Sequence, residues 1–389
     1  MQEQAAATEA LLTAAMAAAK RGDAASALTM IRQAEAAEPG DPNLKMQRAL
    51  VHRITGALPQ AIVALDEALA LDPYNFLALL SKGAVIEKLS GERLAARIYR
   101  HALDILPPDN KLPAHLEAPV ARARAIVAAV DEELESFLRD QIGPLSAAGG
   151  ELAMDRLDEA IGVYAGRRKV YQQQPLLLHY PRLPALPFYP RDQFPWLADL
   201  EAGTDVIREE LQAVLATRMD DFAPYIAFPP DVPVNQWEEL NHSERWSSLF
   251  LWKDGERQDE VCASCPRTAA LLEGLPMADQ EGFAPVAMFS ALQPHTRIPA
   301  HTGSTNVRLI THLPLVLPGP ARFRVGNDVR EWRMGEAWVF DDTIEHEAWN
   351  DADDTRVILI FDVWNPYLEP GERELVKVLM AARNQFYAG

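Results

Sequence analysis

Two histidines 45 positions apart (346 − 301) are the residues of this chain best suited to metal chemistry. His301 opens the run His-Thr-Gly303, and His346 closes Phe340-Asp-Asp-Thr-Ile-Glu-His346. Neutral imidazoles bind first-row transition metals. Iron oxygenases that keep positions open for a 2-oxoacid and oxygen usually add a carboxylate two residues after the first histidine. Here that place holds Gly303, so iron bound to the pair would keep one more positive charge and one more open position, for water or for a halide. Arg356 follows His346 by ten positions (356 − 346) at the head of the run Arg356-Val-Ile-Leu-Ile-Phe-Asp-Val363. A planar guanidinium at a strand start is suited to a bidentate grip on a carboxylate such as the distal one of 2-oxoglutarate.

Positioning such groups takes a rigid frame, and the sequence offers β-rich runs after Tyr225. Residues 308–317, 321–325, 336–340 and 356–363 are rich in β-branched and aromatic residues and are separated by Gly, Pro, Asn and Asp turns. Short strands so spaced predict a sandwich or jelly roll. The first part of the chain has a different rhythm. Between residue 8 and about residue 109, Ala27, Ala61 and Ala95 recur at a 34-residue period, as do Ala34, Ala68 and Ala102. Ile31, Leu65 and Tyr99 keep the same step. Gly22 and Gly56, with Gly91 shifted by one, mark turns, and Pro39, Pro73 and Pro107 close the units. Small residues at fixed positions let paired helices approach closely, and three such pairs make a short solenoid that either binds a peptide or protein partner on its concave face or serves as a dimerisation or packing module. From 116 to 168 the pattern stays helical, as a cap on the solenoid. The proline-rich stretch 174–187 reads as an extended linker, which puts a boundary near residue 170.

With 37 basic and 56 acidic residues among 389, the formal charge of −19 disfavours nucleic acid and anionic membranes. The N-terminus lacks a basic stretch before its apolar run, and no apolar run approaches the ~20 residues of a membrane span, so a cytoplasmic location is expected. Cys262 and Cys265 form a lone CxxC with no second pair to complete a zinc site and are expected to be structural thiols.

The runs HTGSTN (301–306), FDDTIEHEAWND (340–351) and FDVWNP (361–366) resemble the aspartyl/asparaginyl β-hydroxylases, from about Trp246 through Pro366. The 34-residue repeat resembles tetratricopeptide repeats. These resemblances imply a multidomain α + β protein: tetratricopeptide-like repeats over 1–115, a helical cap and linker over 116–170, and a double-stranded β-helix over 171–389 flanked by helices at 200–220 and 366–387. They imply an Fe(II)- and 2-oxoglutarate-dependent dioxygenase with His301 and His346 as iron ligands. Ser290, His312 and Arg356 would hold the cosubstrate, and Arg308 a substrate carboxylate. Asp342 would meet the substrate or orient the second ligand, although paired aspartates before a turn are also ordinary capping residues. The family's animal members are membrane-anchored, which this chain does not lead one to expect, and they carry arginine where this chain has Ile310. Hydroxylation of a lipid or small metabolite, halogenation, and an adaptor with a vestigial site are the alternatives.

Overall fold

A computed structural model describes residues 2–106, 112–143 and 151–388. The chain divides into two compact units, 1–168 and 169–389.

The first unit is a row of antiparallel helix pairs: α1 (Gln2–Lys20) with α2 (Ala24–Ala37), α3 (Pro42–Ile54) with α4 (Leu58–Leu71), and α5 (Phe76–Ser90) with α6 (Glu92–Asp104). Asp41 and Asn75, 34 residues apart, cap α3 and α5 by accepting from the Asn43 and Ala78 amides. Gly22, Gly56 and Gly91 all have positive φ at the turns, a conformation that costs glycine little. The repeating alanines at 27, 61 and 95 and at 34, 68 and 102 are fully buried where the helices cross. A further in-phase set, Ala15, Ala49 and Gly83, lies buried in the first helix of each pair. The cap region is part of this same unit. In α7 (Ala114–Ile142), Val120, Ala123 and Ile126 cover Ala95, Ala96 and Tyr99, and α8 (Glu151–Tyr164) packs on α7. Pro107 falls outside the described residues.

In the second unit the linker 174–187 leads to α9 (Leu197–Ala202) and α10 (Thr204–Thr217). After these come β1 (Ala223–Pro224), β2 (Trp246–Lys253) and β3 (Glu256–Arg257), then the short helices α11 (Asp259–Ser264) and α12 (Pro266–Glu273). Next follow β4 (Ala287–Leu292), β5 (Thr296–His301), β6 (Arg308–Val316), β7 (Ala321–Val325), β8 (Asp328–Glu331), β9 (Trp338–Phe340), β10 (His346–Asn350) and β11 (Arg356–Trp364), and helix α13 (Pro370–Ala388) ends the unit. The larger sheet runs β1-β2-β4-β11-β6-β9 with β3 on β2, and the smaller one β5-β10-β7-β8. From β4 onward the chain passes back and forth between the two antiparallel sheets, apart from the β7–β8 hairpin within the smaller one, which is the winding of a double-stranded β-helix.

Strand alternation decides what each face does. On β6 and β11, Leu309, Leu313, Val357, Leu359 and Phe361 turn outward into the core beneath α10 and α12, and Cys262 and Cys265 are buried free thiols of that core. The intervening residues Arg308, Ile310 and His312, with Arg356, Ile358, Ile360 and Asp362, line a cavity between the sheets. Among the described residues no helix is long and apolar enough to cross a membrane.

A Cβ added at Gly83 would stand 2.5 Å from two ring carbons of Tyr99. Gly83→Ala is therefore expected to destabilise the helical unit by about 1–3 kcal/mol through overpacking, read as a lower denaturant midpoint. Pairing it with Tyr99→Leu should recover most of that loss.

Candidate active site

The cavity between the sheets holds about 390 Å³. His301 ends β5, His346 begins β10, and the two residues are direct partners across the antiparallel ladder. That register brings the ring centroids to 4.0 Å. Each ring is fixed through Nδ1, on the Pro299 carbonyl at 2.7 Å for His301 and on the Ile344 carbonyl at 3.0 Å for His346. A carbonyl can only accept, so Nδ1 carries the proton and Nε2 keeps its lone pair, the tautomer a metal requires. Burial lowers the pKa of both rings and keeps them neutral, and His301 adds to the effect on His346. Trp237 meets the His301 ring edge to face at 4.9 Å. These two histidines suit a first-row metal. Among the described residues no group of three or more His, Cys, Asp or Glu comes together as a ligand set, so the pair stands alone.

Gly303 sits beside this pair for a steric reason. A Cβ built on it would overlap the carboxylate of Asp342, while its amide donates to the Asp342 carbonyl at 2.6 Å. Asp342 lines the cavity, and burial, then Asp341, pushes its pKa up to about 8. Its neighbour plays another part. Asp341 is fully buried and accepts from the Thr343 amide and hydroxyl and from Gln173, holding the turn before β10.

At one end of the cavity Arg356 is 1% exposed with no carboxylate paired to it among the described residues. Its Nε and Nη1 have no hydrogen-bond partner, its guanidinium lies 4.6 Å from the centre of the Trp332 ring, and burial lowers its pKa to about 9. His312 is buried beside it with Nδ1 unpartnered, and burial, then Arg356, takes its pKa well down. Ser290 is fully buried and accepts from Trp246 Nε1 at 3.1 Å. Unanswered donors around a desolvated cation suit a carboxylate at this end. At the other end Arg308 is engaged through one nitrogen: Nη1 donates to the Phe283 carbonyl at 2.9 Å and to Asp362 Oδ2 at 2.5 Å, and Nε is buried without a partner. Between the ends the floor is apolar, from Met288, Ile310, Ile358 and Ile360.

The structure thus gathers His301, His346, Ser290, His312, Arg356, Arg308 and Asp342 around one cavity. Trp332, Trp237 and Asp362 were not foreseen. Asp362 lies within the quoted FDVWNP run, where its β-strand parity with Arg356 was the available signal.

Fold and site together define a double-stranded β-helix with a two-histidine centre at one end of its barrel and a buried arginine deeper in. Residues 201–366 match the model of the aspartyl/asparaginyl beta-hydroxylase family, to which this chain belongs. It is 36% identical over 198 residues to the ornithine lipid ester-linked acyl 2-hydroxylase of Rhizobium tropici, covering 50% of this chain and 66% of that protein. It is 37% identical over 175 residues to human aspartyl/asparaginyl beta-hydroxylase, covering 45% of this chain but only 22% of that protein. The helical unit aligns with the Arabidopsis OM64 TPR domain at 24% identity, covering 31% of this chain and 98% of that one, with a TM-score of 0.26.

The overlap at Gly303 is testable by a mutant cycle. Gly303→Ala should cost about 1–3 kcal/mol of stability in the wild type, but under about 0.5 kcal/mol when Asp342→Ala is already present. Chemical denaturation of the four proteins measures the coupling, and equal costs in both backgrounds would refute the steric explanation.

Proposed function

We propose that this chain is an Fe(II)- and 2-oxoglutarate-dependent dioxygenase that hydroxylates an unactivated carbon, the β-carbon of an aspartyl or asparaginyl residue in a peptide or protein. The observation that carries the reading is Arg356, an enclosed guanidinium with unanswered N–H groups, on the same cavity wall as His312 and Ser290 and across from two metal-ready imidazoles. Iron at the two histidines would supply oxygen activation coupled to decarboxylation, so that RH, O2 and 2-oxoglutarate give ROH, succinate and CO2. The protein's own residues do the placing. Arg356 takes the distal carboxylate, His301 and His346 hold their tautomers through backbone carbonyls, and the apolar floor keeps water from the reacting carbon.

The helical unit supports polypeptide recruitment. In-phase residues of α3 and α5, Leu50 with Ala84 and Ile54 with Lys88, line a small cleft together with Arg53, where an extended segment can lay an apolar side chain beside cations. A second reading, hydroxylation of an acyl chain, draws on the bacterial relative and on the apolar floor at Ile310.

Reconstituted with Fe(II), the protein should convert 2-oxoglutarate to succinate, and His301→Ala and His346→Ala should each abolish this together with iron retention. Wild-type turnover in both variants would sink the assignment.

Arg356→Met separates binding from folding. It should weaken 2-oxoglutarate binding by at least about tenfold, since a charged hydrogen bond is lost, and yet hold or raise the melting temperature because a buried unpaired charge is removed. Calorimetric titration and a thermal melt read the two effects, and unchanged affinity would move the anchor elsewhere.

A further inference from the structure

Arg308 and Asp362 form the polar end of the cavity opposite Arg356, and their arrangement restricts what they can bind. Trp364 pairs with Arg308 in the ladder between β11 and β6, and Asp362 pairs with Ile310, so the two side chains project from neighbouring strands onto the same floor. Asp362 is 2% exposed; its Oδ1 accepts from the Val286 amide at 3.0 Å and its Oδ2 from Arg308 Nη1. Backbone and guanidinium together lock this carboxylate. Arg308 meets that carboxylate and the Phe283 carbonyl through one nitrogen, Nη1, while its Nε is buried without a hydrogen-bond partner. Its charge is thus met before any substrate arrives.

Around the pair the balance is acidic. Asp254 and Asp342 line the same cavity, and Asp342, Asp254 and Asp362 all act on the Tyr225 hydroxyl, which burial and these carboxylates push to higher pKa. A substrate carboxylate brought here would stand beside the Asp362 carboxylate and one guanidinium that is already paired with it, while Asp342 carries a pKa raised to about 8. A neutral group that carries a donor and an acceptor side by side fits better, because its carbonyl accepts from the guanidinium while its N–H donates to a carboxylate.

We propose that Asp362 sets the specificity of this site by neutralising Arg308, so that the substrate side chain is a carboxamide, of the asparaginyl type, in preference to a carboxylate. This rests on the hydroxylase reading given above. Asp362 acts here as a positioning residue, through Arg308, on which group can enter.

The test uses N-acetyl-L-asparagine methylamide and N-acetyl-L-aspartic acid methylamide as matched probes with the full-length iron-loaded chain. Succinate release above the substrate-free rate and a 16-mass-unit gain in the probe are measured; the added mass is that of one oxygen atom. The asparagine probe should exceed the aspartate probe in kcat/KM by at least about tenfold, the size expected when a site built for one hydrogen-bonding group meets another. Asp362→Asn frees Arg308 and should bring the ratio below about threefold, chiefly by lowering KM for the aspartate probe, whereas Asp362→Glu should keep the asparagine preference. The wild-type comparison decides the matter even if neither variant folds. Equal or better use of the aspartate probe, or no use of either, overturns the proposal. Substrate-free succinate formation separates the two levels: if it is present, only the role of Asp362 fails, and if iron-loaded protein makes no succinate at all, the hydroxylase reading itself fails with it.

Discussion

Enclosing a guanidinium without a counter-charge is among the more costly things a fold can do, and this domain does it at Arg356. The surrounding structure reads as the means of sustaining that cost. Trp332 offers an aromatic face to the cation. Strand β11 is held on both sides, by β4 and by β6, so the arginine at its start cannot swing out to water. An apolar core behind the sheet, with Leu313, Leu359 and Phe361 fully buried, fixes the strand from its other face. A site strained in this way is ready for an anion that it need not reorganise to receive.

The two-histidine centre depends on register in the same sense. His301 and His346 meet because β5 and β10 pair with those residues opposite each other, and the register shifts between His346 and Ala348. A one-residue slip would turn one imidazole to the far face of the small sheet. On that far side Glu347 binds both Arg297 and Arg324, and Arg324 also binds Glu345. The ion pairs pin the strand segment that carries His346, which ties the geometry of the metal-ready face to a charge network outside the cavity.

Much of this was legible in the sequence, for a common reason: periodic signals are local. The 34-residue recurrence of alanines reports helix crossings, and the β-rich runs 308–317 and 356–363 report β6 and β11. His301, His346 and Arg356 were recognisable from short motifs, and the cavity does gather them. What escaped was set by distant pairing. Nothing near Arg356 announces Trp332, 24 positions before it (356 − 332), and nothing near Arg308 announces that Asp362 will cover it, because both contacts arise from which strands lie side by side. The helical pattern of 116–168 led to a cap on the solenoid, and α7 packs on Tyr99 and its neighbours, continuing the stack after the alanine period has stopped.

The overlap between Gly303 and Asp342 has a consequence for how such a site can change over generations. The step from glycine to the usual metal-binding carboxylate is a single codon change, from a glycine codon to an aspartate one. In this protein that change drives a side chain into space already held by Asp342, so the first mutant would pass through a damaged barrel before any benefit from a third ligand appeared. Replacing Asp342 first gives up a cavity-lining carboxylate instead. The two positions are thus coupled by packing: a carboxylate at 303 needs the space that Asp342 now fills.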